Sequence, residues 1–232
     1  MKLMRFFRTL TAVLLVAAGQ VVHAQQPVTV KFQTTVPNPA VMQYSYFVGP
    51  FWGTLLSDPT RPTINLFCVD ILNPVSWGLE WRANTTSLAG TDLSNTRHGT
   101  AALDKYRKAA WLSSQFALNG HSDWDGIQAA MWNVLNPGSP DGGAEELYWL
   151  GQANAFSASA AWNSHNWDQY TVLTPEYFGG RIHGGPQEFI TTSFYVPQVV
   201  SPVVTPEPST WLLMATGLAG IIGFAVLRGA RV

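Results

Sequence analysis

The chain has 232 residues, a formal net charge of −1, and 12% charged against 47% hydrophobic residues. That balance gives no electrostatic case for a nucleic-acid partner and leaves the polar surface largely to uncharged side chains, which suits carbohydrate-rich surroundings. A single cysteine excludes an internal disulfide framework.

At the start, Lys2, Arg5 and Arg8 precede the apolar run from Leu10 to Ala18, and Val22-His23-Ala24 places small residues where a signal peptidase reads. Residues 1–24 therefore read as a secretory signal peptide, cleaved after Ala24. Residues 25–200 remain for one domain with a real core.

That domain opens on strand signals. Val28, Val30 and Phe32 alternate with polar neighbours, and "VMQYSYFVG" (41–49) and "TINLFCVDI" (63–71) are rich in β-branched and aromatic residues. The period then changes. "GTAALDKYRKAAWLSSQFALNG" (99–120) predicts a helix with Leu103, Tyr106, Ala110 and Ala117 near one face, stopped by the C-cap pair Asn119-Gly120. "SDWDGIQAAMWNVLNPG" (122–138) predicts a second, with Ser122, Asp123 or Asp125 as cap and Asn136-Pro137 as its end. "GGAEELYWLGQANAF" (142–156) reads as a third, Glu145-Glu146 being its solvated start, before strands return in "DQYTVLT" (168–174) and "QEFITTSFYV" (187–196). The order β, α insertion, β is that of an α+β domain.

Beyond it, residues 201–210 are a Pro-rich tether that ends in Pro206-Glu207-Pro208 and its flanks. Residues 211–227 carry no charge and make a transmembrane helix of roughly 25 Å, a minimal span. Arg228 and Arg231 follow, so the basic tail 228–232 is expected in the cytoplasm and the domain outside.

Two buried polar groups pose one question. The second helix is apolar around its whole circumference yet carries Gln128 in its middle, so it is expected to be buried on every side with an amide that needs a partner. Cys68 is an unpaired thiol in an apolar strand of an exported chain, where it is an oxidation liability. A cysteine sulfur that attacks a glutamine carboxamide expels ammonia and leaves an internal thioester, which answers both. The plainer alternative is that Cys68 is a small buried hydrophobe and Gln128 bonds a strand carbonyl.

The C-terminal arrangement of Pro206-Glu207-Pro208, apolar helix and arginine-bearing tail resembles the PEP-CTERM sorting segment of Gram-negative bacteria, also called an ice-binding-protein C-terminal domain. The chain has no regular Thr-x-Thr ladder that would match ice. The resemblance implies processing by an exosortase and release from the inner membrane toward the outer surface or the exopolysaccharide matrix.

A second resemblance joins "FCVD" (67–70) to "IQAAMW" (127–132), with "AAWL" (109–112) and Gln115-Phe116 between them. This set is similar to the thioester domains of bacterial surface adhesins. It implies a β-sandwich or barrel-like part with a helical insertion, Cys68 as sulfur donor, Gln128 as acyl donor, and Trp132 packed beside the bond. Ile127 stands where many such domains carry threonine, and Val69 where some carry an aromatic. The implied function is a single-use covalent linker to a surface amine or hydroxyl, not a turnover enzyme.

Other residues are weaker candidates. Asp70 shares the face of Cys68 in a regular strand and is placed to polarise a nucleophile, although ending the strand by accepting turn amides is the commoner role. His98, His121, His165 and His183 lack metal-ligand spacing, and Asp123-Trp124-Asp125-Gly126 lacks the rest of a calcium loop, so no metal or cofactor is expected. Tryptophans such as Trp52, Trp77, Trp81, Trp162 and Trp167 belong mostly to the core, but exposed ones would stack on sugar rings. The alternative function is thus a non-covalent carbohydrate or matrix-binding module.

Overall fold

The computed structural model describes residues 27–33, 41–43, 46–139, 142–176 and 184–192. The signal peptide with Ala24, the motif Pro206-Glu207-Pro208, the apolar segment 211–227, Arg228, Arg231 and His183 lie outside them. Among the described residues no helix is long and apolar enough to cross a membrane.

Eight strands are present among the described residues: β1 (Val28–Phe32), β2 (Val41–Gln43), β3 (Tyr46–Val48), β4 (Phe51–Leu55), β5 (Thr63–Cys68), β6 (Glu80–Ser87), β7 (Tyr170–Pro175) and β8 (Phe189–Thr192). Four helices, α1 (Leu103–Gln115), α2 (Trp124–Leu135), α3 (Gly143–Ser157) and α4 (Ala160–Ser164), fall between β6 and β7. Six strands close a barrel in the order β1-β4-β5-β8-β7-β6, every neighbouring pair antiparallel, and β2 and β3 form a separate hairpin. The fold is therefore α+β, a barrel with a helical insertion.

The alternation of β1 survives as alternating burial, with Val28, Val30 and Phe32 inside. Phe189 of β8 meets Phe32 and Trp81 at ring-centroid distances of 5.7 and 5.9 Å, which places aromatic rings from three strands in one barrel core. On β5, Leu66 is wholly buried, while the adjacent Phe67 stacks on Phe116 just beyond α1. The end of this strand, Leu66 to Cys68, is therefore buried on both faces, whereas Thr63 and Asn65 nearer its start are exposed.

The helices depart from the sequence expectations at their ends. Helix α1 stops at Gln115, and Ala117 is exposed, because the buried face runs through Tyr106, Ala109, Ala110, Leu112 and Ser113 instead. Gly120 is not a left-handed cap: its φ is −71°, and Asn119 satisfies the carbonyl of Gln115 through both its backbone N–H and its side-chain amide. No side chain caps α2; Asp123 occupies the N-cap position without a side-chain hydrogen bond, and Asp125 accepts from the N–H of Gly126. Asn136 does end that helix. "VMQYSYFVG" contains the two short strands β2 and β3.

Helix α2 is the centre of the insertion. Trp124, Gly126 to Trp132 and Leu135 are all buried. Gly126 permits this packing: a Cβ there would lie 2.7 Å from that of Glu145 on α3. Gly49, between β3 and β4, has φ +105° and faces the Trp124 ring, where a Cβ would lie within 2.5 Å. Both glycines bring backbone against a neighbouring element where a side chain would not fit.

Candidate functional site

Strand β5 ends at Cys68 and α2 crosses its end. Gln128 and Trp132, four residues apart, share one face of α2 and both reach Cys68. The Gln128 amide donates from Nε2 to the Cys68 carbonyl at 2.7 Å, and the Trp132 indole donates from Nε1 to Cys68 Sγ at 3.4 Å. The thiol in turn donates to the backbone carbonyl of Asp70 at 3.6 Å. Gln128 has no exposed surface, and its Oε1 has no hydrogen-bond partner. A buried carboxamide with one face bonded and its carbonyl oxygen unsatisfied is costly, at about 1–3 kcal/mol.

Burial pushes the Cys68 thiol up to about 12, against the opposing effect of the Trp132 N–H. The free thiol is therefore protonated at neutral pH. Cys68, although buried, lines a cavity of about 350 Å³ with Trp132, Phe32, Phe51, Ile71 and Trp77. Tyr46, Phe47 and Leu72, each partly exposed, complete the mouth together with Gln187.

Asp70 is buried, and its carboxylate is used structurally. Oδ1 accepts from the Leu72 N–H and the Asn73 amide, while Oδ2 accepts from Asn73 and from the Glu188 N–H. Arg97 closes the arrangement with Nε 2.8 Å from Asp70 Oδ2, both side chains almost fully buried. Asp70 thus ends the strand by accepting turn amides. Burial raises its carboxyl above the ordinary value, with Arg97 pulling the other way.

Sequence reasoning missed the rest of this network. Glu188 accepts from the Tyr106 hydroxyl at 2.5 Å, the Thr174 hydroxyl at 2.6 Å and the Arg97 N–H at 3.0 Å. Burial and the nearby Asp70 raise its carboxyl. Arg97 Nη2 donates to the carbonyls of Gly184 and Pro186, and Asn73 Oδ1 accepts from the Gly184 N–H. The network pins the 184–188 segment, which carries Gln187, to the turn after β5. The one available signal was an acid directly ahead of the apolar strand "FITT".

The remaining candidates separate. Glu146 is not solvated: it is buried and accepts from the Gly142 N–H ahead of α3. Among the described residues no group of His, Cys, Asp and Glu could hold a metal ion. Trp81 and Trp167 are core, Trp162 is half-buried against Trp167, and Trp52 and Trp77 are exposed.

No curated protein and no solved structure matches the chain. The ice-binding and thioester-domain resemblances find no support in these comparisons. Residues 204–228 match the PEP-CTERM protein-sorting motif, which implies an exported protein, processed at the membrane by an exosortase and ending on the cell surface.

Proposed function

We propose that this surface protein carries an internal thioester between Cys68 and Gln128 and uses it once, to attach covalently to a neighbour. The observation that carries this reading is the meeting of the Gln128 side chain with the backbone of Cys68 at the end of β5, a strand-carbonyl bond that the plainer alternative also expects. The Gln128 amide sits 2.7 Å from the Cys68 carbonyl with its own oxygen unpaired, and Trp132 holds the sulfur at 3.4 Å.

In the forming step, Cys68 Sγ adds to the Gln128 carboxamide carbon. A C–S bond forms, the C–N bond breaks, and the amide nitrogen leaves as ammonia with the thiol proton. The product gives up the amide N–H pair and the S–H with their hydrogen bonds, and the oxygen left unpaired as Oε1 becomes a thioester oxygen, a weaker acceptor that costs less to bury. In the attaching step, an amine or hydroxyl from the partner adds to the acyl carbon and the C–S bond breaks. The sulfur departs with the nucleophile's proton, and the Trp132 N–H is positioned to stabilise it as it leaves. Nothing regenerates the thioester, so the protein is a linker rather than a turnover catalyst.

The exposed rings of Tyr46, Phe47 and Trp77 at the cavity mouth favour one rival, a non-covalent carbohydrate-binding module in which Cys68 is inert. Methylamine treatment separates the two. Incorporation of methylamine at Gln128 in the purified chain, absent from Cys68→Ala, is expected for the thioester. An unlabelled Gln128, with a Cys68 that alkylates freely once the chain is denatured, leaves only the non-covalent module.

A further inference from the structure

We infer that the cavity above Cys68 receives a neutral sugar ring, so that the bond formed at Gln128 is an ester to a sugar hydroxyl rather than an amide to a lysine. The covalent part of this inference rests on the thioester reading above; the recognition part does not.

Charge decides between the two nucleophiles. No charged side chain lines the cavity among the described residues. The acid nearest the sulfur in sequence, Asp70, is committed to Arg97, Asn73 and the Leu72 and Glu188 amides. An incoming lysine is an ammonium near neutral pH, and here it would lose water with no carboxylate to receive it. A sugar ring carries no such penalty. Its C–H face packs on aromatic rings, and Tyr46, Phe47 and Trp77 present partly exposed ones at the mouth. The Phe47 and Trp77 centroids lie 5.5 Å apart, inclined at 58°, so they form a corner rather than a flat shelf. Gln187, pinned by the Arg97 network, supplies an uncharged amide to a ring hydroxyl. A cavity of about 350 Å³ is at the small end of ligand sites, which favours a ring-sized group over a peptide loop.

The step balances without an added reagent. The hydroxyl oxygen adds to the Gln128 acyl carbon, the C–S bond breaks, and the hydroxyl proton passes to Cys68 sulfur.

The test incubates the full purified chain with neutral oligosaccharides of glucose, galactose, mannose and N-acetylglucosamine, and separately with Nα-acetyl-lysine amide. Mass adducts at Gln128 are mapped and challenged with hydroxylamine, which cleaves esters and spares amides. A hydroxylamine-labile adduct from at least one sugar, formed faster than the lysine adduct, is the expected result. Leu72→Asp places a carboxylate at the mouth on a 43% exposed side chain, and should shift the lysine-to-sugar rate ratio toward lysine by about fivefold, the scale of an exposed ion pair. Labelling by lysine amide and by none of the sugars overturns the inference. The Cys68→Ala chain, titrated with the same sugars by tryptophan fluorescence, tests recognition alone. Saturable binding there with no thioester in the wild type keeps the cavity assignment and removes the covalent step. A proven thioester with neither sugar binding nor sugar labelling does the reverse.

Discussion

Replacing Arg97 by methionine tests the buried network that fixes the floor and rim of the site. The substitution keeps most of the side-chain volume but removes the guanidinium 2.8 Å from Asp70 Oδ2 and its donors to the Gly184 and Pro186 carbonyls. Breaking a buried pair by deleting one partner costs about 3–5 kcal/mol, because the other charge is left uncompensated. Against a total stability of roughly 5–15 kcal/mol, that is a large fraction. In urea, with a slope of about 2 kcal/mol per molar, the unfolding midpoint should fall by roughly 1.5–2.5 M, followed by tryptophan fluorescence. The cost should shrink in acid: without Arg97 the Asp70 carboxyl rises further, and protonation removes the charge that has lost its partner. Adding Asp70→Asn should recover part of the loss for the same reason. A midpoint within about 0.3 M of wild type at neutral pH would refute the reasoning.

Glu188 gives a pH signature. Its folded carboxyl is raised above 4.5 by burial, so the folded chain holds a proton that the unfolded chain has released. Stability should therefore fall as pH rises from about 4.5 through the folded titration, and Glu188→Gln should flatten that fall; parallel urea curves across pH check it. Gly126→Ala forces a Cβ against Glu145 and should cost about 1–3 kcal/mol, read as a lower midpoint with an unchanged slope. Replacing Pro206-Glu207-Pro208 by alanines should leave the protein in the membrane fraction, whereas wild-type protein reaches the surface; unchanged release would separate sorting from the motif.

The site was legible because it violates local rules. A glutamine inside an all-apolar helix and one cysteine inside an apolar strand are each anomalous, and the structure brings them to one point. The network around Arg97 was illegible for the opposite reason. Arg97 sits in a polar loop and looks like a solvated charge until β8, 91 residues later, delivers Glu188 beside it. Strands followed the same logic. β1 shows its alternation, whereas β4 carries Gly53 at its centre and β6, "EWRANTTS", hides its period among polar residues. Gly53 is there because a Cβ would lie 2.7 Å from the Leu66 side chain, a cross-strand fact that no local pattern shows. Ala117 was misplaced because helical periodicity was extended past the residue where α1 ends.

The most direct measurement is the intact mass of the wild-type chain beside that of Cys68→Ala, both purified through the same processing so that terminal trimming cancels. The thioester account expects the wild type to be lighter than its sequence by one ammonia and the variant to match its own. A wild-type chain at full sequence mass, with Cys68 alkylating stoichiometrically after denaturation, would contradict it.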